Sequence, residues 1–360
     1  MPSLDQFRKR VLTDSLFSPC GMAEAMKRLG FVQADPIRCP ARAQDLILRQ
    51  RVKNYRAGDL ERRYPDLDLE ECYLFAYGFL SKDLWQIVHP KTDQKLTDEH
   101  RQTLDVIRQH GPMHSRDLES HVGGQRVQNY WGGFSRSAKM AMESLHHRGA
   151  LRVANRINGV RVYEAADELE PTLSNEERLQ EIMLVTLQAM GATTRRFLLS
   201  ELSHFKYLVA NLGDRRRCLQ DLIDAGRIRV DTIDEVEYLS LDSGRRGRMK
   251  ADTVRILAPF DPLVRDRTRF EHFWNWTYRF EAYTPKPKRK LGYYAMPVLW
   301  QDQIVGWANA TVDAGRLKVD FGYADRRPKD RAFRQAAESE VNQLAKFLGL
   351  DESVQEISHG

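Results

Sequence analysis

A chain of 360 residues, 42% hydrophobic and 29% charged, is long enough to bury a large core and to divide into about two to four modules. No apolar run approaches the ~20 residues that a membrane-spanning helix needs. The four cysteines (Cys20, Cys39, Cys72, Cys218) lack the paired spacing of a zinc site or a disulfide framework. The net charge of +6 is concentrated: between Leu241 and Trp300 thirteen Lys and Arg stand against six Asp and Glu, while the rest of the chain sums to −1. That distribution suits a polyanion, nucleic acid first, although solvated loops carry such residues too. The opening Met1-Pro2-Ser3-Leu4-Asp5 lacks the form of a signal peptide, so the expected location is cytoplasmic, associated with the nucleoid.

Phe7, Val11 and Leu12, then Met22, Ala25, Met26 and Leu29, recur at helical spacing, and Ser18-Pro19 breaks the run, which predicts two helices between Leu4 and Gly30. A short extended stretch, Gly30-Phe31-Val32-Gln33-Ala34-Asp35-Pro36-Ile37-Arg38, follows. In an extended backbone Gln33 and Asp35 share a face, and Pro36 pushes Asp35 away from helical geometry. Such a pair can hold and activate a water molecule; on spacing alone the commoner reading is a Gln and an Asp bonded to backbone at a helix-to-strand junction. Helical spacing returns from Ala41 to Tyr55 (Ala43, Leu46, Ile47), with Arg42, Arg49, Arg51 and Lys53 expected on the other face. Tyr73 to Phe79 is apolar enough for core, with Tyr77 also a candidate to line a cleft.

From Thr97 to Ala166 the pattern is helix, helix, helix, hairpin. Leu104 and Ile107 mark the first helix, Ser115 is placed to cap the second, and Phe134, Ala138, Met142 and Leu145 define the third, ending by Gly149. Leu151–Val153 and Val160–Tyr163 flank Asn158-Gly159, a strong hairpin signal. The same order recurs between Ser174 and Leu241: Ser174 with Glu177 has capping-box spacing, Thr193 or Thr194 opens a second helix, Asp214 caps a third, and Ile228–Val230 with Val236–Leu239 form a hairpin. This is the order of tandem winged helices, modules that bind DNA or serve as spacers between proteins. Beyond the basic hinge Ser243–Arg248, the segments 292–300, 304–310 and 317–321 read as consecutive antiparallel strands, and Arg331 to Leu348 as a closing helix. The expected class is α+β, divided as 1–95 (carrying Gln33 and Asp35), 96–170, 171–242 and 243–360.

Two blocks carry a family resemblance. Gln33-Ala34-Asp35-Pro36-Ile37, with Arg42-Ala43-Gln44-Asp45-Leu46 after it, resembles the Gln-apolar-Asp signature of the YcaQ branch of the winged-helix DNA glycosylases, whose AlkZ branch carries Gln-apolar-Gln. The second, longer block is Leu257-Ala258-Pro259-Phe260-Asp261-Pro262-Leu263-Val264-Arg265-Asp266-Arg267, then Tyr278 to Pro285 and Lys288 to Tyr294. Both stand in the family's order, and the similarity covers nearly the whole chain. Where family members usually carry Trp-Ala-His-Glu-Ala, this chain reads Phe75-Ala76-Tyr77-Gly78-Phe79, without the His and the Glu.

The resemblance implies a C-terminal antiparallel β-barrel-like domain. It also implies hydrolysis of the N-glycosidic bond of alkylated purines, above all N7-alkylguanine, with interstrand crosslinks within range. Asp35 would be the catalytic carboxylate and Gln33 the group that orients water. Double-stranded DNA carrying alkylated bases is the expected partner, bound through Arg42, Arg245, Arg246, Arg248, Lys250, Lys286, Lys288, Arg289 and Lys290. The enzyme is expected to be monomeric, to have neither cofactor nor metal, and to be monofunctional, because no lysine beside the motif offers an amine nucleophile. The residues alone also admit a non-catalytic winged-helix transcriptional regulator, which would read base edges and prefer one sequence.

Overall fold

The first helix, Leu4–Ser15, starts because Ser3 and Gln6 cap one another: the Ser3 hydroxyl accepts from the Gln6 amide at 3.3 Å and the Gln6 side chain accepts from the Ser3 amide at 3.1 Å. The second, Met22–Leu29, stops at Gly30, whose φ of +70° favours glycine. A Cβ there would also come within 3.3 Å of Gln188 and Val185, so the turn into the next strand needs glycine on two counts. The computed structural model describes residues 2–89, 96–123, 125–128, 134–167, 172–204, 214–242, 252–351 and 355–359. Its contacts divide the chain into one unit of Met1–Leu60, Leu184–Leu199 and Asp221–Gly360, and another of Glu61–Met183 and Ser200–Gln220.

In the first unit, Phe7, Val11 and Leu12 pack with Tyr238, Leu263, Phe270, Phe273 and Leu299 in one apolar core, the Phe7 and Tyr238 rings 4.8 Å apart. The helix expected over Ala41–Tyr55 is much shorter, Ala43–Leu48. Past it the backbone leaves the helical ladder to bond Cys20, with Cys20 N to Arg51 O and Lys53 N to Cys20 O both at 3.0 Å. Arg49 and Arg51, expected on an exposed face, instead point inward to acids from the far end of the chain: Arg49 to Glu340, and Arg51 to Asp261. Helical spacing identifies which residues share a face, but not that a cation there will meet a distant carboxylate.

The strands expected near the C-terminus are Met296–Trp300, Gln303–Asp313 and Arg316–Tyr323, turning at Gln301 and at Ala314-Gly315, where φ is positive. Two further strands, Val254–Ile256 and Gln355–His359, complete a five-stranded sheet. The last runs parallel to Arg316–Tyr323, which corrects the wholly antiparallel expectation. The helix Arg331–Leu348 supplies the crossover that a parallel pairing requires. Among the described residues the sheet has two free edges and does not close on itself.

In the second unit, the run expected as core is a hairpin, Leu69–Tyr73 with Tyr77–Ser81. Helices Asp98–His110, Ser115–Val122 and Ser137–His147 follow. His114, not Ser115, is the N-cap of the second of these, and Ser115 is its first residue. The hairpin Leu151–Ile157 with Val160–Ala165 turns at Asn158 (φ 52°) and Gly159 (φ 79°). Its arginines do not simply meet solvent: Arg152 pairs with Glu70 at 2.8 Å, and Arg156 grips Glu71 through two nitrogens at 2.7 and 2.5 Å. The order helix, helix, helix, hairpin returns in Asn175–Met190, Arg195–His204, Arg215–Asp224 and Arg229–Ile233 with Val236–Ser240, and these elements are shared between the two units.

Candidate active site

Gln33 ends the Phe31–Gln33 strand and Asp35 lies two residues beyond it, before Pro36. The Asp35 Oδ1 accepts the Ile37 amide at 2.8 Å, a local turn of the kind Asp forms readily, and the Asp35 backbone amide donates to the Gln44 side-chain Oε1 at 3.4 Å. The backbone-bonded reading of Asp35 is therefore true of one carboxylate oxygen. The other accepts no hydrogen bond from the described residues. Burial pushes the half-buried carboxyl above the usual aspartate range, against the opposing pull of the Ile37 amide.

Gln33 is held from the far end of the chain. Arg265 donates to its Oε1, and because a guanidinium only donates, the carbonyl must face Arg265 and the amide nitrogen must face away. Arg265 ends the short helix Pro262–Arg265, whose N-cap Asp261 accepts the Leu263 amide at 3.1 Å. Asp261 in turn takes two hydrogen bonds from Arg51, at 2.8 and 3.0 Å, with both side chains wholly buried. Arg51 also donates to the carbonyls of Ser15 and Ile47, each at 2.9 Å. Beside them Asp266 caps Arg267–Trp274 and accepts from the Thr193 hydroxyl at 2.6 Å and the Thr194 amide at 2.9 Å. The two sequence blocks thus meet through Arg265–Gln33, and Arg51, just past the first block, is tied to Asp261 in the second.

Aromatic side chains of the second block complete the surroundings. Burial raises the phenols of Tyr283 and Tyr294 above the usual tyrosine value, and the Asp35 charge adds to the shift of each. Tyr294 is buried edge-on against Phe280, ring centres 5.3 Å apart, whereas Tyr283 is 80% exposed. The Arg289 guanidinium lies 4.9 Å from the centre of the Tyr293 ring. Between these tyrosines, Lys286–Lys288 forms a single 3-10 turn, and the Glu281 carboxylate accepts the amides of Lys290 and Leu291, both at 2.8 Å. The side chains of Lys286, Lys288 and Lys290 are exposed and that of Arg289 is partly so.

The remaining expected residues are distributed differently. Arg42 stands at the N-cap position of Ala43–Leu48, half-buried, with its charge acting on Asp45. Tyr77 belongs to the second unit, where its hydroxyl donates to Glu71 at 2.5 Å and Arg161 lies 4.3 Å over its ring. Burial and the Glu71 charge hold the Tyr77 phenol well above its usual value. Arg245, Arg246, Arg248 and Lys250 lie outside the described residues. Arg255, Arg265, Arg267 and Arg269 turn inward, Arg269 to the carbonyl oxygen of Met190 and Arg267 to those of Val264 and Pro259. Part of the basic excess is therefore structural. A cavity of about 560 Å³ lined by Arg10, Phe17, Arg28 and Leu187 includes neither Gln33 nor Asp35. Among the described residues no group of three or more His, Cys, Asp or Glu is placed to hold a metal ion.

The family model described as DNA glycosylase AlkZ-like matches residues 26–347, a span that holds both blocks. The chain belongs to the AlkZ-like DNA glycosylase family. Its substrate is accordingly DNA, and its reaction is the cleavage of an N-glycosidic bond in repair. Among solved structures, Streptomyces sahachiroi DNA glycosylase AlkZ is similar with a TM-score of 0.64 over 100% of each chain, at 14% identity. At that identity the likeness speaks for the fold. No helix among the described residues of this AlkZ-like chain is long and apolar enough to cross a membrane. Spacing alone did not single out Arg265 or Tyr294; the only signal for them was their place in the second block.

Freeing the Gln33 amide should slow this AlkZ-like enzyme without unfolding it. Replacing Arg265 with Met is expected to lower single-turnover excision on the order of tenfold, the scale of one charge-assisted hydrogen bond, with DNA affinity nearly unchanged. Excision at the parent rate would show that the orientation of the amide does not matter.

Proposed function

We propose that the chain is a monofunctional glycosylase that hydrolyses the N-glycosidic bond of alkylated purines in double-stranded DNA, N7-alkylguanine first and interstrand crosslinks within range, leaving an abasic site. The observation that carries this reading is the pairing of a partly buried Asp35, one oxygen held by Ile37, with Gln33, whose carbonyl is held by Arg265. Alkylation at N7 makes the purine cationic, so the leaving group needs no proton from an enzyme acid. What remains is to stabilise an oxocarbenium-like sugar and to deliver water to C1′. Asp35 supplies the negative charge and accepts a water proton, and the Gln33 amide orients that water. The C1′–N9 bond breaks with its electron pair going to the purine, whose positive charge it neutralises.

The two runs of three helices and a hairpin act as tandem winged helices on the DNA, and the enzyme works as a monomer at the nucleoid. Incubation with duplex containing N7-methylguanine, followed by alkaline cleavage at abasic sites, tests the reading. A sequence-specific footprint with no abasic product would favour a transcriptional regulator instead.

The loop carrying Lys286, Lys288, Arg289 and Lys290 binds backbone phosphates, because its side chains face solvent beside Tyr283 and Tyr293. Changing all four to Ala is expected to weaken binding to damaged and undamaged duplex alike. The slope of log affinity against log salt should flatten by about 0.9 for each phosphate that the variant no longer neutralises. Anisotropy titrations at several salt concentrations measure this; an unchanged slope, or an effect confined to one sequence, would count against the assignment.

A further inference from the structure

Tyr283 is 80% exposed, more than any other large apolar side chain among the described residues; Ile157 follows at 59%. An exposed ring on a loose loop needs no explanation, but this loop is braced. The Glu281 carboxylate accepts the amides of Lys290, Leu291 and Gly292 at 2.8, 2.8 and 3.3 Å, and the Glu281 carbonyl accepts the Thr284 amide at 2.9 Å. Arg289 Nε donates to the Thr284 carbonyl at 2.8 Å, and Pro285 and Pro287 fix two more backbone angles. Tyr283 touches Phe280, the rings nearly perpendicular at 79° with centres 6.1 Å apart, and most of its ring stands in solvent. The charge around it has one sign. From Tyr283 to Trp300 the chain carries Lys286, Lys288, Arg289 and Lys290 and no acid, while Glu281 is 7% exposed and occupied by the amides above. One strand, Gln303–Asp313, anchors both this loop and the chain that follows Asp35: Asn309 Nδ2 donates to the Leu291 carbonyl at 2.8 Å, and the Cys39 thiol to the Ala310 carbonyl at 3.5 Å.

We propose that Tyr283 is a stacking platform for an unpaired base of the bound DNA, with the lysines beside it on the neighbouring phosphates; the inference deepens the phosphate-binding reading of this loop and rests on it. An open aromatic face flanked by cations complements a nucleotide, which offers a base to stack and a phosphate to neutralise. An apolar partner would leave the lysines unused. An enzyme that cleaves a glycosidic bond within a duplex draws a nucleotide out of the stack, and a base that has lost its neighbours regains a face on Tyr283. Every base has such a face, so the platform is indifferent to sequence. Because the loop is already fixed, little conformational freedom is lost on binding.

Two duplexes test this in the full chain, identical except that one carries a single fluorescent aminopurine bulged from the strand and the other pairs that base. The parent is expected to bind the bulged duplex more tightly and to quench its fluorescence, as stacking does. Tyr283→Ala should weaken binding to the bulged duplex on the order of tenfold to a hundredfold and abolish the quenching. It should bind the paired duplex nearly as the parent does, melt at the parent temperature, and keep the parent's salt slope, since no phosphate contact is lost. Tyr283→Phe, which keeps the ring and drops the hydroxyl, should bind and quench as the parent does. Parent-like binding and quenching by Tyr283→Ala overturns the platform, and so does an equal loss on both duplexes, a flattened salt slope, or a Tyr283→Phe protein as weak as Tyr283→Ala. The variant of Lys286, Lys288, Arg289 and Lys290 separates the two readings. A flattened slope there beside a parent-like Tyr283→Ala leaves the phosphate reading standing alone, whereas an unchanged slope removes both.

Discussion

Asp35→Asn should lose nearly all excision and keep the fold. The asparagine carbonyl oxygen can accept the Ile37 amide as Asp35 Oδ1 does at 2.8 Å, so the local turn survives. What disappears is a charge beside the developing oxocarbenium ion and a base for the water proton, a contribution on the order of 10²–10⁴ in rate. Gln33→Ala should cost less, since water still reaches the carboxylate without being held in one orientation.

The pH dependence follows from burial. The folded pKa of Asp35 lies above its unfolded value, so excision should rise with pH through a limb placed above the usual aspartate range. The sign for stability is opposite. Between the unfolded and folded pKa the native state binds more protons, so stability falls as pH rises across that window. Asparagine has no such window, and the variant should melt at or above the parent temperature near neutrality. An Asp35→Asn protein that melts normally and excises at the parent rate would remove Asp35 from the mechanism.

The second large effect is on stability. Arg51 and Asp261 are both wholly buried and joined by two hydrogen bonds. Arg51→Met strands a carboxylate in the core and leaves the Ser15 and Ile47 carbonyls without a donor. Breaking one side of such a pair costs about 3–5 kcal/mol, which should appear as a large drop in denaturation midpoint. Arg51→Met with Asp261→Asn should recover part of that loss, because the stranded charge is gone while an N-cap for Pro262–Arg265 remains. A single variant as stable as the parent would mean that the pair is only a bystander in the core.

Much of this architecture is legible wherever a short run of residues sets its own conformation. Asn158-Gly159 turns a hairpin because both residues tolerate positive φ. Ser174 and Glu177 cap one another, and Asp214 caps the helix after it, by contacts within three residues. The strands between Met296 and Tyr323 follow from β-branched and aromatic runs. What stayed hidden depends on distant partners. Periodicity placed Arg49 and Arg51 on a solvent face because it carries no information about Glu340 or Asp261. The parallel strand Gln355–His359 is short and polar, and only its pairing with Arg316–Tyr323 makes it a strand. At the site, the Gln33–Asp35 spacing was visible, but Arg265 stands 232 residues from Gln33 and no local pattern joins them.

That separation bears on how the protein comes into being. The unit holding Gln33 and Asp35 is built from three stretches of chain, and its clamp waits for Asp261 and Arg265. During synthesis the Gln33 amide has no anchor until more than two-thirds of the protein has left the ribosome. Closing so long a loop is slow compared with forming local helices, so the second unit, all of it made earlier, has time to fold first. A half-made chain can therefore hold a folded second unit before Gln33 gains its clamp from Arg265.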